Sequence, residues 1–114
     1  SEPVAITDQV YANHSGWYAG FAGSGHGLCL KDGRLMFVLA IRATSATGVP
    51  LHNYAIYSDD GGDNWTLSTN AATTVGDEAK VVELEDGDIL MSIRNKRVFL
   101  CCARMSFCNL PLCL

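Results

Sequence analysis

The sequence predicts an all-β fold assembled from a repeated antiparallel hairpin, and three observations carry that prediction. First, Gly27-Leu28-Cys29-Leu30-Lys31-Asp32-Gly33-Arg34-Leu35-Met36 lies over Val81-Val82-Glu83-Leu84-Glu85-Asp86-Gly87-Asp88-Ile89-Leu90, both containing Leu-x-Asp-Gly-x-(Leu/Ile). Second, the two Asp-Gly pairs stand 54 residues apart, close to the roughly 40–50 residues of a propeller blade. Third, no stretch of twelve residues carries helical apolar spacing with caps, whereas Asp-Gly between apolar runs is a strong hairpin signal.

Taken in order, Leu28 to Lys31 turns through Asp32-Gly33 into Arg34 to Ile41. Met36 to Ile41 is apolar without alternation, as expected of a strand buried on both faces. Arg42 to Leu51 is rich in Ala, Thr, Ser, Gly and Pro and predicts a loop. Asn53 to Ser58 predicts a third strand, Asp59 to Asn64 a dense turn, and Trp65 to Leu67 a fourth strand. The second hairpin runs from Lys80 to Leu84 and back from Ile89 to Arg94. Two repeats fall short of the roughly four to eight blades of a closed ring, so these blades do not close by themselves.

Composition narrows the function classes. Of 114 residues 48% are hydrophobic and 18% charged, which excludes a disordered chain, and the net charge of −4 leaves no basic field for nucleic acid. The longest apolar run, Leu35 to Ile41, is seven residues, against about 20 for a membrane-spanning helix. Ser1-Glu2-Pro3 lacks a basic and an apolar region, so the start is expected to be a mature or internal boundary. Four of the five cysteines, Cys101, Cys102, Cys108 and Cys113, crowd the end and leave Cys29 alone. Their spacing fits neither a disulfide framework nor a zinc finger, and no metal or cofactor is expected.

Ser58-Asp59-Asp60-Gly61-Gly62-Asp63-Asn64-Trp65 fits S-x-D-x-G-x-x-W and resembles the Asp box of the sialidase (neuraminidase) superfamily. Its logic is local: Asp60 accepts backbone N–H bonds inside a turn, Gly62 allows a conformation barred to other residues, and Trp65 packs the turn onto the blade. The resemblance implies a connection between the third and fourth strands of a blade, away from the catalytic face. It therefore bears on fold, with Ser58, Asp60, Gly62 and Trp65 structural. An EF-hand is excluded, because Gly61 stands where a ligand should and no Glu follows at the required offset.

A second stretch, Gly76 to Asn95, resembles the sialidase segment around its catalytic Glu and one arginine. Carried over by position, Glu78 is implied to be the catalytic glutamate and Arg94 one member of the arginine triad. An Arg fork can hold the sugar carboxylate bidentately, which Lys cannot copy. Sialidases use a tyrosine nucleophile, and the resemblance gives Glu78 the role of its base. The repeat supplies a control. Ser24 falls opposite Glu78 and Ala40 opposite Arg94, so blade geometry alone demands neither Glu nor Arg there.

The resemblance implies about two blades of a six-bladed sialidase fold, with antiparallel four-stranded blades. Residues 1–96 form the partial propeller and 97–114 a divergent Cys-rich tail, non-native or an edge strand. The other arginines, the acid/base Asp and the nucleophilic Tyr are expected outside this chain, as is the rest of the propeller. The implied function is exo-α-sialidase, a glycoside hydrolase removing terminal sialic acid from a sialylated glycan, incomplete and inactive as this fragment. Its implied location is secreted, extracellular or periplasmic. The alternative is a non-catalytic Asp-box propeller that binds carbohydrate or protein.

Among the remaining residues, Trp17, Tyr18 and Phe21 form an aromatic patch that could line a sugar pocket, with core packing the commoner outcome. The Gly23 to Gly27 stretch is expected to serve the backbone. His14 and His52 are expected in polar loops, and Glu83, Glu85, Asp86 and Asp88 on a solvated hairpin.

Overall fold

The computed structural model describes residues 2–23, 25–95, 101–105 and 111–113, the last two segments by their backbone alone. The chain opens with a short helix, α1 (Thr7–Tyr11), followed by β1 (Ala19–Ala22), β2 (Leu28–Cys29), β3 (Leu35–Arg42), β4 (Leu51–Ser58), β5 (Thr66–Leu67) and β6 (Thr73–Gly76). A second sheet is built from β7 (Ala79–Glu83), β8 (Ile89–Ile93), β9 (Cys101–Met105) and β10 (Pro111–Cys113). Every described pairing is antiparallel. The all-β, partial-propeller prediction holds, with two open sheets as its blades.

The first sheet has six strands in four ranks. β3 and β4 pair along nearly their whole length, from Leu35↔Ser58 to Ile41↔His52. On the outer edge of β3, β2 pairs at Leu35–Met36 and β1 at Leu39–Arg42. On the outer edge of β4, β5 pairs at Ile56–Tyr57 and β6 at Leu51 and Asn53. The second blade runs in the order β10-β9-β8-β7. β9 and β10 fall in the 97–114 tail, whose side chains, cysteines included, lie outside the described residues.

The internal repeat is reproduced bond for bond. Gly33 N donates to Leu30 O at 2.9 Å and Leu30 N to Arg34 O at 2.8 Å; 54 residues on, Gly87 N donates to Leu84 O at 3.1 Å and Leu84 N to Asp88 O at 2.8 Å. Asp32 and Asp86 each accept from the backbone N–H two residues ahead, at 3.0 and 3.1 Å. Gly33 and Gly87 take φ of 91° and 86°, the left-handed conformation this tight three-residue loop demands of its last position.

Burial of β3 on both faces follows from what lies on each side. Met36 and Val38, with Ala55 of β4, pack against Ala79, Ile89, Met91 and Ile93 of the second blade. Leu39 and Ile41 point the other way, with Ile56, onto Val10 of α1 and the half-buried Trp17, Tyr54 and Trp65. Phe37 alone breaks the run, at 38% exposed, with its ring 5.4 Å from that of Trp65. The helix exists to close this second face: Ile6 and Val10, one turn apart, present an apolar stripe to the sheet. Gln9 fastens it by accepting from Trp65 N at 2.6 Å.

Three expectations need correction. Tyr18 and Phe21 are exposed, at 60% and 46%, because β1 lies along an open edge; only Trp17 joins a core. His52 lies in β4 rather than a loop, whereas His14 does lie in the loop between α1 and β1, its ring stacked on Trp17 with centroids 3.9 Å apart. Glu83 is more than a solvated carboxylate: its Oε2 accepts from Lys31 N at 2.9 Å, and Lys31 Nζ donates to Leu84 O at 3.2 Å. That clamp ties the two Asp-Gly turns together across the blades.

Candidate functional site

The lengths of β3 and β4 separate two ends of the structure. One end holds both Asp-Gly turns and the Asp box; the other holds the 43–50 loop, the exit of β6 and the open end of the β7–β8 hairpin.

At the first end the Asp box forms the local network its sequence predicts. Buried Ser58 donates through Oγ to Asp60 Oδ1 at 2.8 Å and accepts from Gly62 N at 2.9 Å. Asp60 accepts from Asn64 N at 2.9 Å and from Asn64 Nδ2 at 2.7 Å. These bonds from Asn64 first, then the one from Ser58, hold the Asp60 carboxyl down at about 2. Trp65 Nε1 donates to Gly62 O at 2.9 Å, closing the turn over Gly62, whose φ is 107°. Beside it Arg34 donates to Asp59 at 2.9 Å, which raises the guanidinium above its usual value, and stacks 4.4 Å over Tyr57.

Glu78 and Arg94 meet at the opposite end. The hairpin register pairs Ala79 with Ile93, so these two residues are the next step beyond its last rung. Arg94 N donates to Glu78 O at 2.8 Å, and Arg94 Nη1 donates to Glu78 Oε2 at 3.1 Å. Both side chains face solvent, 62% exposed for Arg94 and 43% for Glu78. Neither is consumed by the core.

Their neighbours Asp77 and Asn95 line an open cleft of about 500 Å³, together with Phe21, Arg42, Val49 and Val75. Arg42 is a guanidinium the sequence did not single out. It ends β3 at the same mouth, donates to Ala46 O at 2.7 Å and lies 5.6 Å from the Tyr18 ring. Its signal was available: an Arg closing a long apolar strand before a loop must surface where that strand ends. Among the described residues no three His, Cys, Asp or Glu side chains converge as a metal set, and no helix is long and apolar enough to cross a membrane.

Open four-rank antiparallel blades with an Asp-box turn define a segment of an Asp-box propeller. The chain belongs to the BNR repeat-like domain family, whose model matches residues 1–98. It is similar to the sialidase of Bacteroides fragilis (strain YCH46), 37% identical over 97 residues covering 85% of this chain and 17% of the relative. The sialidase of Paraclostridium sordellii is 32% identical over 84 residues, covering 74% of this chain and 20% of the relative. That of Clostridium perfringens is 30% identical over 83 residues, covering 73% and 21%. The chain is therefore related to the sialidases, and it spans about a fifth of the length of these relatives.

Proposed function

We propose that the Glu78–Arg94 mouth is one arc of a sialic-acid site, and that the whole protein is an exo-α-sialidase releasing terminal sialic acid from glycoconjugates. One observation carries the proposal. A solvent-facing carboxylate and guanidinium stand 3.1 Å apart beside a cleft, at the end of the blade away from the Asp box. Support comes from the sialidase of Bacteroides fragilis, whose match over 97 of the 114 residues takes in this stretch.

In this reading Arg94 turns its fork to the sugar carboxylate, a planar partner it can hold by two parallel charge-assisted bonds. Glu78 acts as the base to a tyrosine contributed by another blade, lowering the cost of phenolate character during covalent catalysis with retention. Further arginines, the acid/base Asp and that Tyr come from the rest of the ring. The 114-residue chain alone is expected to be inactive. With that substrate class, the whole protein is expected to act outside the cytoplasm, secreted, extracellular or periplasmic.

The test is turnover of an arylated sialoside by the full polypeptide that carries this segment, alongside Glu78→Ala and Arg94→Ala. Loss of turnover in both variants is the expected result. Wild-type turnover in both overturns the site. Glycan binding without any turnover in the parent protein replaces the enzyme with a binding module.

A further inference from the structure

Two polar side chains of the described residues are buried in the core, both on β4: Ser58, 1% exposed, and Asn53, 0% exposed. Ser58 belongs to the Asp box. Asn53 stands near the other end of the strand, beneath the mouth. It lies opposite Ala40 of β3 and Thr73 of β6, where the β4–β6 register slips between Leu51 and Asn53. A buried amide costs more to desolvate than an apolar side chain of its size, so its presence needs a reason.

Its Nδ2 donates to Asp77 O at 2.7 Å, while its Oδ1 accepts no hydrogen bond from the described residues. A buried acceptor left unpaired is costly and rarely kept without cause. The same amide lies against Gly76, where an added Cβ would overlap Asn53 Oδ1 and come within 2.8 Å of Ile93 Cγ2 and Thr73 Cγ2. Gly76 lets the backbone come down onto the amide. Asp77 O is then gripped from beneath, and the next carbonyl, Glu78 O, is gripped from the side by Arg94 N.

We propose that Asn53 is a positioning residue for Glu78, its amide fixing the Gly76–Asp77–Glu78 lead-in so that the carboxylate stands beside Arg94. The proposal rests on the sialidase reading of that mouth. Asn53 touches no substrate. Its effect runs through one backbone carbonyl, so it acts on the step that needs the carboxylate in place and leaves substrate affinity alone.

The test uses the full polypeptide with Asn53→Leu, of similar size but without a donor, and Asn53→Ser, which leaves room for a water. Glu78→Gln serves as the reference. Displacement of a reacting group by about 1 Å can cost about 100-fold in rate. The expected result is a kcat loss approaching that size, with KM nearly unchanged. Hydrogen exchange should quicken at the Arg94 amide while the β3–β4 amides keep their protection. Wild-type kcat in folded Asn53→Leu, or a loss confined to KM, overturns the positioning role, whereas in Asn53→Ser a water donating to Asp77 O should recover part of the loss. Failure of both variants to fold assigns Asn53 to the core and overturns it as well. If Glu78→Gln itself keeps full activity, the sialidase reading of the mouth fails first, and the two failures are told apart.

Discussion

Arg94 is where an ion pair kept for stability and a guanidinium kept for a ligand separate by magnitude. The pair with Glu78 is solvent-facing on both sides, 62% and 43% exposed, and exposed pairs contribute about 0.2–1 kcal/mol. Arg94→Ala is therefore predicted to lower the unfolding free energy by no more than about 1 kcal/mol. A bidentate grip on a sugar carboxylate is a different quantity. Two charge-assisted bonds at about 1.5–3 kcal/mol each give about 3–6 kcal/mol, or roughly 10² to 10⁴ in kcat/KM. Arg94→Lys keeps the charge but loses the planar fork, and should recover only part of that loss. Urea melts and aryl-sialoside kinetics on the full polypeptide measure both quantities. The reasoning is refuted if Lys restores wild-type kcat/KM, or if the Ala variant loses activity only in proportion to its unfolded fraction.

Further predictions concern the blade itself. Gly33→Ala and Gly87→Ala meet no atom within 4 Å at φ of 91° and 86°. Left-handed strain of about 1–2 kcal/mol, offset by about 0.4–1 kcal/mol from the stiffer unfolded chain, leaves a net loss of about 1 kcal/mol at each. Thermal melts should show near-equal drops; a loss at one turn and none at the other breaks the equivalence of the repeats. Asp60, held at about 2 by bonds from Asn64 and Ser58, stabilises the fold above the ordinary carboxylate value and loses that contribution as pH falls from about 4 toward 2. The melting-temperature gap between wild type and Asp60→Asn should therefore be steady near neutrality and close in acid. A gap that persists at pH 2 contradicts this.

The parts legible in the sequence are those whose determinants are local. The Asp-Gly turns need only their own side chain and a glycine, so both hairpins could be placed from ten residues apiece. The Asp box is likewise closed by bonds spanning two to four residues. Glu78 and Arg94 each lie eight positions from Asp86, so a hairpin folded about that turn brings them together. What escaped was tertiary in origin. β1 is Ala-Gly-Phe-Ala, without a β-branched residue, and is extended because β3 offers it partners. The five-residue α1 is too short to show a period and is held by the apolar face of the first sheet and by Gln9. Asn53 gave no signal, since nothing in a strand sequence announces which backbone carbonyl a buried amide will meet.

The eight residues of β3 span roughly 25 Å, and Lys31 staples the neighbouring hairpins at the far side only. A tether or fusion anchored near those stapled turns would leave the cleft unobstructed. Under the sialic-acid reading proposed for the mouth, a bulky glycan carrier would meet the cleft from the opposite side, with the stapled turns behind it.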